Sequence, residues 1–370
     1  MNVRKPRHAF LSLAILVPCA FSAGCKRSAP PPNPAPSSAA NNAATVPLKV
    51  ERLDHAINSI LPADAKLERV VTGFKWTEGP VWSQGALYFA EIPSDSIRKW
   101  TSGEGASIWL QPSGYQGSAP YGGPEPGTDG MTLDAQGRLT VAGHAQRDVL
   151  RFESFDPAKA PTVLVDSYQG KRLNSPNDLV YRSDGSLYFT DPPYGLRTES
   201  DDDPAKQLKV NGVYRIPHAL DHKPGAPPDN ASLQLLFKDL SRPNGIAFSP
   251  DEKYLYVNNS VPNKIWMRFR VEPDGALTDG KVFADATSDP RPGVPDGMKV
   301  DSAGNIFSAG PGGIWIFSSE GKHLGTILTP ERVGNLAFGG PDRKTLYIAA
   351  STSIYSVALD IAGEPLVHPK

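Results

Sequence analysis

Cysteine is almost missing from this chain. It has two, Cys19 and Cys25, both within the first 25 residues. The rest of the chain can therefore form no disulfide and offers no thiol as a nucleophile or soft metal ligand. Long apolar runs are missing too: the stretch Ala9–Val17 is far shorter than the roughly 20 residues that span a bilayer. Positive charge is not in excess. The chain has 38 basic and 39 acidic residues, and setting aside Arg4, Lys5 and Arg7 leaves 35 basic against 39 acidic, which gives no electrostatic basis for binding nucleic acid. Helical periodicity is absent, and so is the Gly-x-Ser-x-Gly elbow of serine hydrolases.

What is present begins at the N-terminus. Arg4, Lys5 and Arg7 precede the apolar run, and small residues follow up to Gly24 and Cys25. Basic, then apolar, then small is the order of an export signal. Phe21-Ser22-Ala23-Gly24-Cys25 resembles a bacterial lipoprotein cleavage box, with Ser22 where that box usually has Leu. Residues 1–25 are thus expected to be an export signal, either lipidated at Cys25 or cleaved nearby in the ordinary way. The expected location is the periplasm, or a membrane reached only through lipid on Cys25. Residues 26–50 are rich in Ala, Pro, Ser and Asn and too poor in apolar surface to offset their ordering entropy, so a disordered linker is expected there. Residues 51–370, about 320 in all, then form one domain.

That domain repeats. A polar residue, usually followed by Gly, opens a short apolar strand; a turn and a second strand follow. Starts fall at Glu78, Asp129, Asn177, Asn244, Asp296 and Gly334, spaced 51, 48, 67, 52 and 38 residues apart. Turns such as Ser183-Asp184-Gly185 lie between the two strands, and third strands follow at Ser96–Trp100, Val149–Phe152, Lys264–Phe269 and Ile314–Phe317. Four-stranded units of this length are propeller blades. The prediction is all-β: a six-bladed β-propeller. The last unit has no room for a fourth strand after Val357, so the N-terminal strand Leu67–Thr72 is expected to complete it and close the ring, which removes exposed sheet edges.

The first strand of each blade lines the axis, so the six starting residues converge on one face. Five carry side-chain oxygen, and none is Lys or Arg. Each alone reads as an ordinary turn former. Together, carboxylates on a narrow axis repel unless a cation lies between them. Hard oxygen donors without Cys or His suit Ca2+ first, with Mg2+, Mn2+ and Zn2+ left open.

Thr77-Glu78-Gly79-Pro80-Val81-Trp82, Ser175-Pro176-Asn177-Asp178-Leu179, Tyr188 through Gly195, Arg242-Pro243-Asn244-Gly245 and Pro295-Asp296-Gly297-Met298 together resemble the senescence marker protein/gluconolactonase/luciferin-regenerating enzyme family, over about Leu53 to Leu359. The resemblance implies one divalent cation held by Glu78, Asn177, Asn244 and Asp296, and hydrolysis of a sugar-type lactone by water. It implies that Asp129 contacts substrate or the attacking water. The Arg that animal members place two residues before that position is Gly127 here, which sets this chain apart from their sugar contacts. The loop from Gln111 to Gly127 looks bacterial and is expected over the metal face, as is Tyr194–Val210.

For the proton from water, Asp296 is the first candidate, Asp129 the second and His144 the third, since His144 ends a second strand on the same face. Asp129, His144 and Tyr194 are the expected substrate contacts. Asp191 is read as a rim or structural residue, Asp201-Asp202-Asp203 as a solvated loop, and His218, His222 and His323 as solvated singles. Two other functions fit the same features: hydrolysis of another ester or organophosphate at this site, and a non-catalytic, envelope-tethered propeller that binds a sugar or protein.

Overall fold

The computed structural model describes residue 1 and residues 43–366. The expected export signal, the Cys25 box and the expected linker up to residue 42 fall on residues 2–42, outside the described residues.

The domain is a six-bladed β-propeller. Blade 1 is Thr77–Ser83, Ala86–Glu91, Ser96–Thr101 and Gly105–Leu110, each strand antiparallel to the next. Blades 2, 3 and 4 repeat this meander from Met131–Leu133, Leu179–Tyr181 and Pro243–Phe248 outward. Blade 5 starts at Met298–Val300, and blade 6 at Val333–Gly339. Second strands such as Ala86–Glu91 and Leu187–Asp191 are buried along their whole length. A strand covered by neighbouring blades on both faces needs apolar residues on both, hence runs such as Leu-Tyr-Phe.

Stability resides between blades. Six buried apolar clusters occupy the six blade interfaces, for example Val81, Tyr88 and Val141 between blades 1 and 2, or Phe307, Leu336 and Ile348 between blades 5 and 6. The ring closes as the sequence predicts: Leu67–Thr72 pairs with Ser353–Ala358 as the fourth strand of blade 6. Across the closure, the rings of Trp82 and Tyr347 stack at 5.3 Å.

Two expectations need correction. The segment read as linker up to residue 50 is ordered where it is described. Ala44–Val46 pairs outside Leu67–Arg69 on blade 6, and Lys49–Arg52 pairs with Gly325–Leu328 on blade 5. Val46, Leu48 and Val50 alternate and pack on the apolar cluster of blades 5 and 6; that period of two is a strand signal, hidden by the Ala/Pro-rich composition around it. His323 is no solvated single either. It lies in a strand, stacked on Trp315 with ring centroids 4.0 Å apart.

Candidate functional site

The six starting residues do not sit in turns. In blades 1, 4 and 6 the inner strand breaks register, between Glu78 and Val81, Pro243 and Ile246, and Val333 and Asn335. Such a bulge re-aims a side chain, here Glu78 and Asn244. In blades 2, 3 and 5 the ladder begins two residues later, at Met131, Leu179 and Met298.

The glycines have their own reason. A Cβ on Gly130 would stand 2.4 Å from the carbonyl oxygen of Asn177, and one on Gly245 would stand 2.2 Å from that of Asp296. Each marks where one blade's backbone meets the next. Gly130 N–H donates to Asn177 O at 2.7 Å, and Gly297 N–H to Gly334 O at 2.8 Å. Gly245→Ala should therefore destabilise the fold by about 1–3 kcal/mol, the usual cost of overpacking. Urea unfolding checks this, and an unchanged midpoint would contradict it. At the sixth position, Gly334 supplies space rather than a ligand: a Cβ there would stand 2.1 Å from Glu78 Oε1.

Glu78, Asp129, Asn177, Asn244 and Asp296 are all buried and line one cavity of about 300 Å3. Five of the six starting positions thus come together. Asn258 ties two of them, accepting from Gly245 N–H at 3.1 Å and donating to Asp296 O. Thr190 Oγ1 donates to Asn244 O at 2.7 Å. Asn177 Nδ2 donates to Asp129 Oδ2 at 2.5 Å, which leaves Asn177 Oδ1 without a protein donor among the described residues.

The electrostatics conflict. Burial first, then the Asp296 charge, pushes Glu78 well above the usual carboxylate range. Burial and then Glu78 do the same to Asp129. Burial raises Asp296 to about 7, against the opposing pull of Arg332 and a hydrogen bond from Asn244. Carboxylates this close cannot all ionise without positive charge among them. Among the described residues, no three Asp, Glu, His or Cys side chains form a metal-binding group, so any ion here must also draw on the amides of Asn177 and Asn244. Those amides and the carboxylates are hard oxygen donors, and the set fits a cation such as Ca2+.

Of the other expected contacts, Tyr194 lines the cavity, its hydroxyl raised to about 12 by burial. His144 does not. It is fully buried, with Nδ1 3.0 Å from Pro176 O and Nε2 2.8 Å from Glu125 Oε2. With both nitrogens engaged by protein, it is not placed to take a proton from substrate or water. Asp191 is likewise buried, accepting from the N–H groups of Asn174 and Ser175 at 2.8 Å each and so shaping the approach to Asn177.

The acidic run is not simply solvated. Asp201 pairs with Arg242 at 2.5 Å, and Asp203 accepts from Thr198 N–H at 2.9 Å and Ala205 N–H at 2.8 Å. These bonds fix the loop carrying Tyr194 and Glu199.

Glu125, Glu199, Arg332 and Trp76 also line the cavity and were not anticipated. Arg332 lies over the Trp76 ring at 5.0 Å. Both stand two residues before a starting position, as does the lining residue Val294; extending the repeat backward by two would have exposed them. Glu125 had a weaker signal, a lone carboxylate between Pro124 and Pro126.

The pattern described as SMP-30/Gluconolactonase/LRE-like region matches residues 76–352, from the start of the inner strand of blade 1 through the second strand of blade 6. The chain belongs to this family. It is 36% identical over 373 residues to a gluconolactonase of Zymomonas mobilis, covering 97% of this chain and 99% of the relative. A solved gluconolactonase of Xanthomonas campestris is similar at 32% identity and a TM-score of 0.70, covering 85% of this chain and 97% of that one. A regucalcin of Agrobacterium tumefaciens shares the fold, at 18% identity and a TM-score of 0.59 over 80% of this chain and 94% of that one. In this family member, the propeller axis and the loops of blades 2 and 3 build the one described cavity that gathers Glu78, Asp129 and Asp296.

Proposed function

We propose that this protein is a metal-dependent lactonase that opens a sugar-type lactone, as the gluconolactonases it resembles are named for doing. Glu78, Asn177, Asn244 and Asp296 would hold one divalent cation, with Ca2+ the first choice. The observation that carries the reading is the meeting of these four oxygen-bearing side chains, from four separate blades, in one buried cavity. When bound, the cation supplies Lewis-acid polarisation of the lactone carbonyl and the charge that the clustered carboxylates need.

The chain's own groups do the rest. Water adds to the carbonyl carbon, and the Asp296 carboxylate takes its proton. The same carboxyl returns that proton to the ring oxygen as the carbon–oxygen bond breaks, leaving a hydroxy acid. Asp129, fastened by Asn177, orients the water or a substrate hydroxyl. Tyr194 and Arg332 bound the cavity, and the loops carrying Glu125 and Glu199 narrow its mouth. Export, and anchoring through Cys25, belong to the same proposal.

A panel of aldonolactones, aryl esters and paraoxon, each with and without chelator, tests it. Lactone turnover lost on chelation is the expected result. Preference for aryl esters or paraoxon would move the substrate class. No turnover of any of them, with a cation still bound, would favour a binding propeller.

A further inference from the structure

We infer that Glu125 is a specificity-determining residue: its carboxylate, aimed into the cavity by the buried His144, accepts the hydroxyl groups of a polyhydroxylated lactone. This rests on the lactonase reading above and names the feature of the substrate that the mouth of the site recognises.

The loop that carries Glu125 is firmly built. Tyr115 N–H donates to Pro126 O at 2.9 Å, and Gly127 N–H to Ile92 O at 3.1 Å. Tyr121 packs on Tyr115 at 5.0 Å and hydrogen-bonds through its hydroxyl to Gly195 O, joining this loop to the one that carries Tyr194. The side chain is built as well. Pro176 O can only accept, so His144 Nδ1 carries a proton and donates it there. A carboxylate oxygen likewise only accepts, so the bond to Glu125 Oε2 needs a proton on Nε2 as well, which Nε2 donates. The histidine side chain has no exposure, whereas that of Glu125 keeps 23%. Glu125 Oε1 has no protein partner among the described residues, and Glu125 lines the cavity that also holds Glu78 and Asp296.

This arrangement holds a carboxylate at the site while committing one oxygen to fixing its direction. The other oxygen, Oε1, is left to accept from a donor, and the donors of a sugar lactone are its hydroxyls. A lactone ring without hydroxyls offers it nothing. Glu125 therefore contributes to binding hydroxylated substrates and not to the chemistry at the carbonyl. His144 acts through Glu125, as a positioning residue.

The test compares glucono-δ-lactone with δ-valerolactone, a six-membered lactone without hydroxyls, using the full-length protein and its Glu125→Ala and Glu125→Gln variants. A lost charge-assisted hydrogen bond corresponds to roughly tenfold or more in affinity. Glu125→Ala should raise KM for the hydroxylated lactone by about that factor, with kcat falling much less. Its loss in kcat/KM should exceed the loss on δ-valerolactone by roughly tenfold. Glu125→Gln retains an acceptor and the shape of the loop, so it should fall between. His144→Ala should copy Glu125→Ala in KM, and His144→Gln, which keeps a donor, should recover part of the loss. Equal losses on both lactones, or a loss confined to kcat, would overturn the inference and mark Glu125 as structural. If Glu125→Ala does not fold, the same comparison with Glu125→Gln decides. Turnover of neither lactone by the unaltered protein would instead overturn the lactonase reading, and this inference with it.

Discussion

Exchanging Asp296 for Asn should lower kcat for lactone hydrolysis by roughly a thousandfold or more. A positioned acid–base group contributes about 10^2 to 10^4 by itself, and this side chain is also one of the two carboxylates in the proposed cation set. Asn keeps its size. The backbone tie from Asn258 to Asp296 O does not involve the side chain, so the fold should survive. Steady-state kinetics with circular dichroism checks both points. Asp129→Asn is the companion variant. Asp129 is buried beside His144, with Oδ2 3.4 Å from Nδ1, and in the proposed mechanism it orients rather than takes the proton, so its loss should be smaller. If Asp129→Asn were silent in turnover and Asp296→Asn retained activity within tenfold, the acid–base assignment would fail. If Asp129→Asn caused the greater loss, the two roles would be exchanged.

Removing the cation is the second large effect. Chelation should lower lactone turnover by about a hundredfold or more, because metal polarisation is worth several kcal/mol and each 1.36 kcal/mol is tenfold in rate. Added Ca2+ should restore it. Chelation should also change how stability depends on pH. In the cation-free protein, Asp296 has a folded-state pKa of about 7, above the ordinary 3.8; Glu78 and Asp129 shift in the same direction, through burial first and then through the charge of Asp296 on Glu78 and of Glu78 on Asp129. A carboxyl raised on folding holds its proton more tightly in the folded state. Its stabilising contribution is full below the unfolded value and is lost as pH rises through the folded one. The melting temperature of chelated protein should therefore fall as pH climbs from about 4 past about 7. The gain on adding Ca2+ should widen over the same range, since a ligand that binds only the folded state stabilises it. Superimposable curves with and without cation would contradict the account.

Much of this was legible in the chain before its structure. The blade count, the closing strand Leu67–Thr72 and the convergence of Glu78, Asp129, Asn177, Asn244 and Asp296 all follow from one repeated unit, because each blade must present the same edge to the axis. The rest resides where repetition stops. Glu125 comes from the loop joining blades 1 and 2 and Glu199 from the long loop between the second and third strands of blade 3, and their course is set by individual bonds such as Tyr121 to Gly195 and Asp201 to Arg242. No period reports such bonds. His144 was placed on the correct face, but its depth depends on Glu125 and Pro176, which are 19 and 32 residues away. Strands Ala44–Val46 and Lys49–Arg52 were hidden because composition, averaged over a window, outweighed three alternating apolar residues. The Asp-Gly and Asn-Gly pairs show the same limit. They are usual turn formers, yet here the glycine is set by the approach of a neighbouring blade, a contact between residues far apart in the chain.

The most direct test is a crystal of this protein grown with Ca2+, with an anomalous difference map recorded at long wavelength. One strong peak is expected on the propeller axis, about 2.3–2.6 Å from oxygens of Glu78, Asn177, Asn244 and Asp296. A peak held by other residues, or none at that position under saturating Ca2+, would contradict the account.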